Sequence, residues 1–302
     1  MSELPALPLE PWQDTKQALH LYLQVIGKVR MALHPKQNHW WHVTLRAGPR
    51  GFTTGPIPID ERSLELELDV GESRATFTCS NGGERHIPVA EGLTVASFFE
   101  QVMGALAELG YEPKISPKPY DPPKVGSDVP FPEDDAPRPW DEDAVRRFWR
   151  ITRWTTTVLT EFRGRFTGKH SPVQIFWHSL DLAYTRFSGR PAPMEGGTAS
   201  DREAYSHEVT SVGFWAGDEN VPAPAFYAYA YPEPEGLGGT TIEPDAASWN
   251  DLGTSHMALL MYDEVRGAAD PRQALLDFCE TTYDRAASLG GWDMAGFKTP
   301  WA

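Results

Sequence analysis

The sequence lacks any long hydrophobic run, and it contains few cysteines. No apolar stretch approaches the roughly 20 residues that a membrane-spanning helix needs. Residues 1–12 lack the basic start and the apolar core of a signal peptide. The only two cysteines, Cys79 and Cys279, are too few and too far apart in sequence for a disulfide framework. We therefore expect a cytoplasmic protein that binds no membrane, with both thiols reduced in its core.

Positive charge is also scarce. Lysine and arginine together number 27 against 42 acidic residues, which gives a formal net charge of -15. Affinity for nucleic acid comes largely from Lys and Arg side chains that neutralise phosphates. This balance therefore argues against nonspecific nucleic-acid binding, and equally against binding to anionic membranes.

No complete catalytic signature is present. The sequence contains no Gly-x-Ser-x-Gly elbow, no Gly-x-Gly-x-x-Gly turn, no His-Glu-x-x-His and no paired Cys-x-x-Cys. Residues 164–170 come closest to a nucleotide-binding P-loop, but they are one residue short and end in His where Ser or Thr should hold magnesium. The sequence therefore identifies neither a cofactor nor a resident metal.

What the sequence does contain is a globular composition, 40% hydrophobic and 12% aromatic. Apolar residues recur at helical spacing from Leu19 to Leu33, which leaves Gln24 and Lys28 outside the apolar stripe. Period-two alternation over residues 64–70 and 75–79 then predicts antiparallel strands, and a second helix follows Thr94. These elements form a predicted first α+β module over residues 1–111.

A proline-rich segment separates this module from a second one. Nine of residues 112–139 are proline, which predicts a stiff connector without regular structure. Residues 140–302 then show the same order of elements, with a helix after Asp141 and another from Asp270. Strand candidates lie between them at residues 173–187, 205–215, 225–231 and 256–261.

Short sequence echoes support a relation between the two modules. Pro35-Lys-Gln37 followed by Trp41-His42 is similar to Pro172-Val-Gln174 followed by Trp177-His178. The sequence thus predicts an α+β protein of two related helix, antiparallel-sheet and helix modules, with an internal duplication. A ligand cleft would then lie between the modules.

One window reverses the charge of the chain. Residues 163–190 contain a single acid, Asp181, and five cations. The cations are Arg163, Arg165, Lys169, Arg186 and Arg190. Clustered guanidinium groups bind carboxylate or phosphate two bonds at a time. We therefore expect these side chains to surround a small anion.

Strand alternation places further polar residues near this window. If residues 176–187 form one strand, His178 and Arg186 share one face and Asp181 lies on the other. An Asp or Arg in an apolar strand is costly to bury without a partner. A structural ion pair, a solvent-exposed strand face and a ligand site all explain these residues.

Two other strand candidates carry polar side chains. His207 and Glu208 would lie on opposite faces, and His207 is the natural general acid or base because its ordinary pKa is near neutrality. Tyr227, Tyr229 and Tyr231 would share one face, as in the wall of a polar cleft. Packed or surface roles are common for both residue types in strands.

The sequence also resembles a known family over nearly its whole length. The resemblance rests on strings that include residues 9–12, Asn38-His-Trp-Trp-His42, residues 181–183, residues 186–190 and residues 203–208. The family is a bacterial one catalogued as domain of unknown function 5996. The resemblance implies a bacterial protein and supplies no activity, cofactor or catalytic residue.

Together these patterns predict a cleft in the second module that holds a small anionic metabolite, with its substrate, cofactor and oligomeric state left open. Arg186 and Arg190 would bind the anion, and Asp181 would orient one of them. The remaining predicted ligand-binding residues are Arg163, Arg165, Lys169, His178, Tyr227 and Tyr229. His207, Asp181 and Glu208 are the catalytic candidates.

Two alternatives of other classes remain open at this point. The first is a metal-dependent enzyme that uses His178, His207 and an acid such as Asp181 or Glu208. The second is a noncatalytic interaction module that presents exposed aromatic side chains to a partner. Its candidate contact residues are Trp40, Trp41, Trp149 and Trp154.

Overall fold

The computed structural model describes residues 3–120 and 128–300, in which seven helices and two antiparallel six-stranded sheets form an α+β fold. The helices are α1 (Gln13–Leu33), α2 (Val95–Glu108), α3 (Glu142–Gly164), α4 (Ala199–Ala204), α5 (Tyr262–Gly267), α6 (Pro271–Leu289) and α7 (Met294–Phe297). Thr94, Asp141 and Asp270 each accept a hydrogen bond from a first-turn backbone N–H of α2, α3 and α6. These three residues are N-caps, which explains why the helices begin where the sequence predicts.

The first sheet contains the predicted strand pattern of the first module. Its strands are β1 (Arg46–Ala47), β2 (Gly51–Thr53), β3 (Ile57–Ile59), β4 (Arg62–Asp69), β5 (Arg74–Cys79) and β6 (Glu84–Pro88). They follow the order β1-β2-β4-β5-β6, with β3 also paired to β4. Leu66 lies opposite Phe77 and Leu68 opposite Ala75, so the alternating apolar residues share the buried face.

The second sheet consists of β7 (Gln174–Phe176), β8 (Asp181–Pro191), β9 (His207–Trp215), β10 (Ala225–Tyr231), β11 (Ser248–Asp251) and β12 (His256–Met261). Its order is β11-β12-β10-β9-β8-β7. The single strand predicted for residues 173–187 is wrong, because the chain turns at residues 177–180 and pairs Phe176 with Asp181. Leu180, with a φ of 54°, lies at the end of that turn.

The two sheets meet edge to edge. The backbone N–H of Leu45, beside β1, donates to the carbonyl of Ile175 in β7 over 2.9 Å, and the reverse hydrogen bond is 2.8 Å long. One hydrophobic cluster includes residues of both sheets and of the helices α1, α2, α3 and α6. The boundary at residues 112–139 and the internal duplication stay predictions.

Helix α1 is buried on nearly all sides. Gln24 and Lys28, which lie outside the apolar stripe, are only 0% and 3% exposed. The apolar spacing does not reveal this burial, because it results from distant segments that pack around the helix. Cys79 and Cys279 are buried free thiols, as predicted. Within the described ranges, no helix is long and apolar enough to cross a membrane.

Candidate functional site

A cavity of about 440 Å³ lies over one face of the second sheet. Strands β8, β9 and β10 form its floor, and the turn at residues 177–180, residues 39–43, α1 and α4 close its sides. Aromatic side chains make up much of the wall. This volume and lining are typical of small-molecule sites, which enclose a ligand in a mostly apolar concave surface with a few polar groups.

Asp181 carries a carboxylate on the floor of this cavity. Alternation along β8 directs Asp181, Ala183, Thr185 and Phe187 toward the cavity. The Ser179 hydroxyl donates to Asp181 Oδ1 over 2.5 Å, and the Tyr227 hydroxyl donates to Asp181 Oδ2. Both partners are neutral donors, and no Lys or Arg of the described residues forms an ion pair with this carboxylate.

Three tyrosines lie beside this carboxylate. Tyr227 and Tyr229 share the cavity face of β10, as the sequence predicts, and the Tyr229 hydroxyl lies 3.0 Å from that of Tyr205. Burial raises the pKa of Tyr227 and of Tyr229 well above the ordinary value, and the charge of Asp181 raises both further. These groups are therefore neutral hydroxyls that can donate hydrogen bonds.

Lys28 brings a positive charge into the same cavity. Its side chain extends from α1, and its Nζ lies 5.8 Å from the ring centre of Phe131 and 5.9 Å from that of Trp177. No acidic group or hydrogen-bond acceptor of the described residues pairs with it. Burial lowers the pKa of Lys28 because the charged form loses hydration. A cation at 3% exposure without a partner among the described residues is the most unusual feature of the site.

Polar residues one and two turns before Lys28 position the cavity wall. The His20 Nε2–H donates to the carbonyl of His178 over 3.1 Å. The Gln24 amide donates to the carbonyl of Tyr120 and accepts from its backbone N–H, at 2.9 and 2.8 Å. The rings of Tyr120 and His178 lie 5.4 Å apart. Helix α1 thus binds the backbone of two aromatic residues of the wall through partly buried hydrogen bonds.

Lowering the pH should destabilise the folded protein through protonation of His20. Burial lowers the pKa of His20 from 6.5 to about 4. The unfolded chain then binds more protons than the folded one between these values, so stability falls as the pH drops from 6.5 toward 4. The loss from this group is roughly 3 kcal/mol at the acid end.

Denaturant unfolding across this pH range checks the expectation. His20→Gln should keep the hydrogen bond to the His178 carbonyl and make the pH dependence of the unfolding free energy shallower. His34→Gln, at a half-exposed position, is the matched control. An unchanged slope in His20→Gln would contradict the assignment.

His39 connects other parts of the cavity wall through hydrogen bonds to Glu203 and Lys169. His39 and Trp40 both have left-handed backbone conformations, with φ of 54° and 58°. The His39 Nδ1–H donates to the carbonyl of Glu203 at the end of α4 over 3.0 Å, and its Nε2 accepts from Lys169 over 2.6 Å. Burial, then the charge of Lys169, lowers the pKa of His39, which keeps the ring neutral. Uncommon backbone conformations of this kind are concentrated at functional sites.

A sequence comparison covers nearly the whole chain. The family described as "Family of unknown function (DUF5996)" matches residues 4–299. The chain belongs to this family. The resemblance based on residues 38–42 and 203–208 is thereby confirmed. Searches of curated proteins and of solved structures found no match.

In this DUF5996 protein, Arg186 lies on the other face of the second sheet. It is 2% exposed, its Nη2 donates to the carbonyl of Phe162 over 2.5 Å, and its guanidinium lies 3.5 Å from the ring centre of that residue and 4.3 Å from that of Tyr283. Because it is five positions after Asp181 in β8, alternation places the two side chains on opposite sides. Arg186 therefore does not join the cavity group.

The other predicted cations are also dispersed. Arg190 pairs with Glu208 at 2.6 Å, and Arg165 pairs with Glu161 at 2.6 Å and Glu280 at 2.9 Å. These acids come from separate strands and helices, which the spacing of the basic window does not reveal. The expected convergence of all five cations around one anion is therefore wrong. Arg165 and Arg186 line a common cavity. Arg190 instead pairs with Glu208, and Lys169 contacts His39.

The last two cations bind histidines. Arg163 Nε donates to His170 Nδ1 over 3.1 Å. Lys169 lies at the cavity rim through its hydrogen bond to His39, with its Nζ 5.1 Å from the ring centre of Phe187. Of the predicted cations, Lys169 thus lies nearest the cavity.

The predicted acid-base residues separate in the same way. His207 borders the rim, where its ring lies 5.8 Å from that of His39. Glu208 points to the opposite sheet face and binds Arg190, while His178 lines the cavity from the turn. His207, Asp181 and Glu208 therefore do not form one catalytic group.

The two alternative functions gain no support from the described residues. In these ranges, no group of three or more His, Cys, Asp or Glu side chains could hold a metal ion. Trp149 and Trp154 are half-buried against the core, and Trp40 and Trp41 line the cavity. These four side chains are thus not an exposed aromatic patch.

Proposed function

We propose that this DUF5996 protein binds a small organic anion, and that the cavity over β8, β9 and β10 is its site. The observation that carries the proposal is Lys28, a buried ammonium without an acidic partner among the described residues. Burying an unpaired charge is costly, and a bound anion would remove that cost by supplying the missing partner.

The wall supports an organic rather than an inorganic ligand. Trp41, Phe176, Trp177 and Phe187 present apolar area to the cavity, which a ligand body can cover. The hydroxyls of the neighbouring tyrosines would orient its polar groups.

The charge of the lining favours a carboxylate over a phosphate. Lys28 is the only Lys or Arg among the described lining residues, and Asp181 and Asp201 also line the cavity. A doubly charged phosphate would meet one cation and two acids, whereas a carboxylate matches Lys28 alone. The anion of the proposal is therefore a monocarboxylate, with Lys28 in the role expected from sequence for Arg186 and Arg190.

Replacement of Lys28 tests the proposal directly. Lys28→Met should weaken binding of para-methylbenzoate, a planar carboxylate probe, by about tenfold or more. The same variant should raise the unfolding free energy of the unliganded protein by on the order of 1 kcal/mol, because an unpaired buried charge becomes a hydrophobic side chain of similar length. Titration calorimetry and denaturant unfolding measure the two effects.

Lys114→Met, the same chemical change at an exposed position, is the matched control and should change neither quantity. Unchanged probe affinity in Lys28→Met, or no binding of the probe to the wild type at about 1 mM, would overturn the proposal.

A further inference from the structure

We infer that the ligand of this cavity is a zwitterion whose ammonium group faces Asp181 while its carboxylate faces Lys28. This inference rests on the proposed function and names the ligand class of the same site. Its basis is that one cation and one anion line the same cavity, and neither is paired with a charged group of the described residues.

The carboxylate of Asp181 is only partly satisfied. It accepts hydrogen bonds from the hydroxyls of Ser179 and Tyr227, and no Lys, Arg or His of the described residues forms an ion pair with it. An ionised carboxylate offers about four acceptor positions, so about two remain for a ligand. Hydrogen bonds between ammonium and carboxylate groups are the strong, charge-assisted kind.

Aromatic rings surround this end of the cavity. Tyr227 and Tyr229 are stacked with ring centres 6.2 Å apart and planes at 12°, and Tyr205 and Phe176 also line the wall. Ring faces attract ammonium groups, and the attraction grows as the group loses water. A cationic group would therefore find both a counter-ion and an aromatic cage here.

A ligand without positive charge fits this lining poorly. With histidines left aside, the described lining residues carry one positive charge and two negative charges. An anion alone would balance Lys28 but would add its charge to that of Asp181 and Asp201. A zwitterion supplies a partner of opposite charge to Lys28 and to an acidic group, and it adds no net charge to the cavity.

The two charged groups require a spacer between them. Lys28 and Asp181 do not form an ion pair with each other, and Lys28 lies among the rings of Phe131 and Trp177, while Asp181 lies beside Tyr227. The ligand class is thus an amino acid whose ammonium and carboxylate are separated by an apolar or aromatic body that packs along the Trp177 side of the wall.

Matched probes test this inference. Para-(aminomethyl)benzoate should bind the wild type about tenfold more tightly than para-methylbenzoate, which lacks the ammonium. Asp181→Asn should abolish this preference while leaving the affinity for para-methylbenzoate equal or higher, because a negative charge is removed. Ser179→Ala, which keeps the Asp181 charge, should retain the preference. Titration calorimetry provides all the affinities.

The outcomes separate the two proposals. Equal affinities for the two benzoates in the wild type, together with equal affinities for ε-aminohexanoate and hexanoate, would overturn the zwitterion inference and leave the anion proposal standing. A preference that persists in Asp181→Asn would also overturn it. Loss of binding by both benzoates, or binding unaffected by Lys28→Met, would overturn the proposed function itself. Binding of para-methylbenzoate to Asp181→Asn shows that the variant is folded.

Discussion

Arg186→Ala should lower the free energy of unfolding by about 3–5 kcal/mol, one of the two largest effects that we expect from a single substitution. The guanidinium is 2% exposed and lies between the rings of Phe162 and Tyr283. Truncation removes these stacking contacts, leaves a void and removes one of the two hydrogen bonds that the Phe162 carbonyl accepts. Denaturant unfolding at neutral pH measures the loss.

Two further variants at this position show why Arg is used. Arg186→Met keeps much of the volume without the charge and should cost only about 1–2 kcal/mol. Arg186→Lys should cost more than its conservative appearance suggests, because an ammonium cannot stack flat between two rings. A stability loss below about 1 kcal/mol in Arg186→Ala would show that the stack is not structural.

Trp177→Ala should destabilise the protein by about 3–5 kcal/mol and also weaken binding of para-methylbenzoate. Trp177 is 3% exposed, its indole N–H donates to the carbonyl of Val43 over 2.7 Å, and its ring forms part of the cavity wall. Trp177→Phe keeps an aromatic surface but loses the hydrogen bond. It should therefore lose less stability and less affinity for para-methylbenzoate than Trp177→Ala does. Wild-type affinity in Trp177→Ala would contradict a role in the wall.

The contact between Gly27 in α1 and the ring of Trp177 can be tested with a double mutant. A Cβ built on Gly27 in α1 would overlap the Trp177 ring, so Gly27→Ala should destabilise the wild type by about 1–3 kcal/mol. In the Trp177→Ala background the ring is absent, and the same change should stabilise by about 0.5–1 kcal/mol, as it does in an open helix. An equal effect in both backgrounds would show that the two residues are not coupled.

Local patterns predicted much of the second sheet and part of the site. Alternation over residues 225–231 placed Tyr227 and Tyr229 on one face, and the structure confirms this because β10 is a regular strand paired on both sides. The same rule separated Asp181 from Arg186 within β8. Such predictions succeed because successive side chains in a strand point to opposite faces of the sheet, so positions two apart share a face.

Charge patterning failed where partners are distant in sequence. The basic window suggested one anion site, but Arg165 and Arg190 bind Glu280 and Glu208, and both acids lie outside the window. A local excess of charge says nothing about acids that other elements bring beside it. The cation of the cavity, Lys28, lies outside the window too, at a helix position outside the apolar stripe.

A sequence signal for Lys28 did exist. Lys16, His20, Gln24 and Lys28 are spaced by four residues, which places them along one side of α1. All but Lys16 are at most 3% exposed, and together they contact the turn at residue 178 and Tyr120. A polar row on a helix looks the same in sequence whether it faces water or a cavity, so spacing alone does not distinguish the two.

Patterns along the chain were enough to predict the α+β class, the main helices with their caps, the strand faces and the family. Each of these depends on neighbours a few residues apart or on a match along the chain. The pairing of charges, in contrast, depends on how distant segments pack in three dimensions. Joining the sheet edges at Leu45 and Ile175 and enclosing α1 leaves Lys28 and Asp181 in one cavity, and that arrangement depends on contacts between segments more than a hundred residues apart.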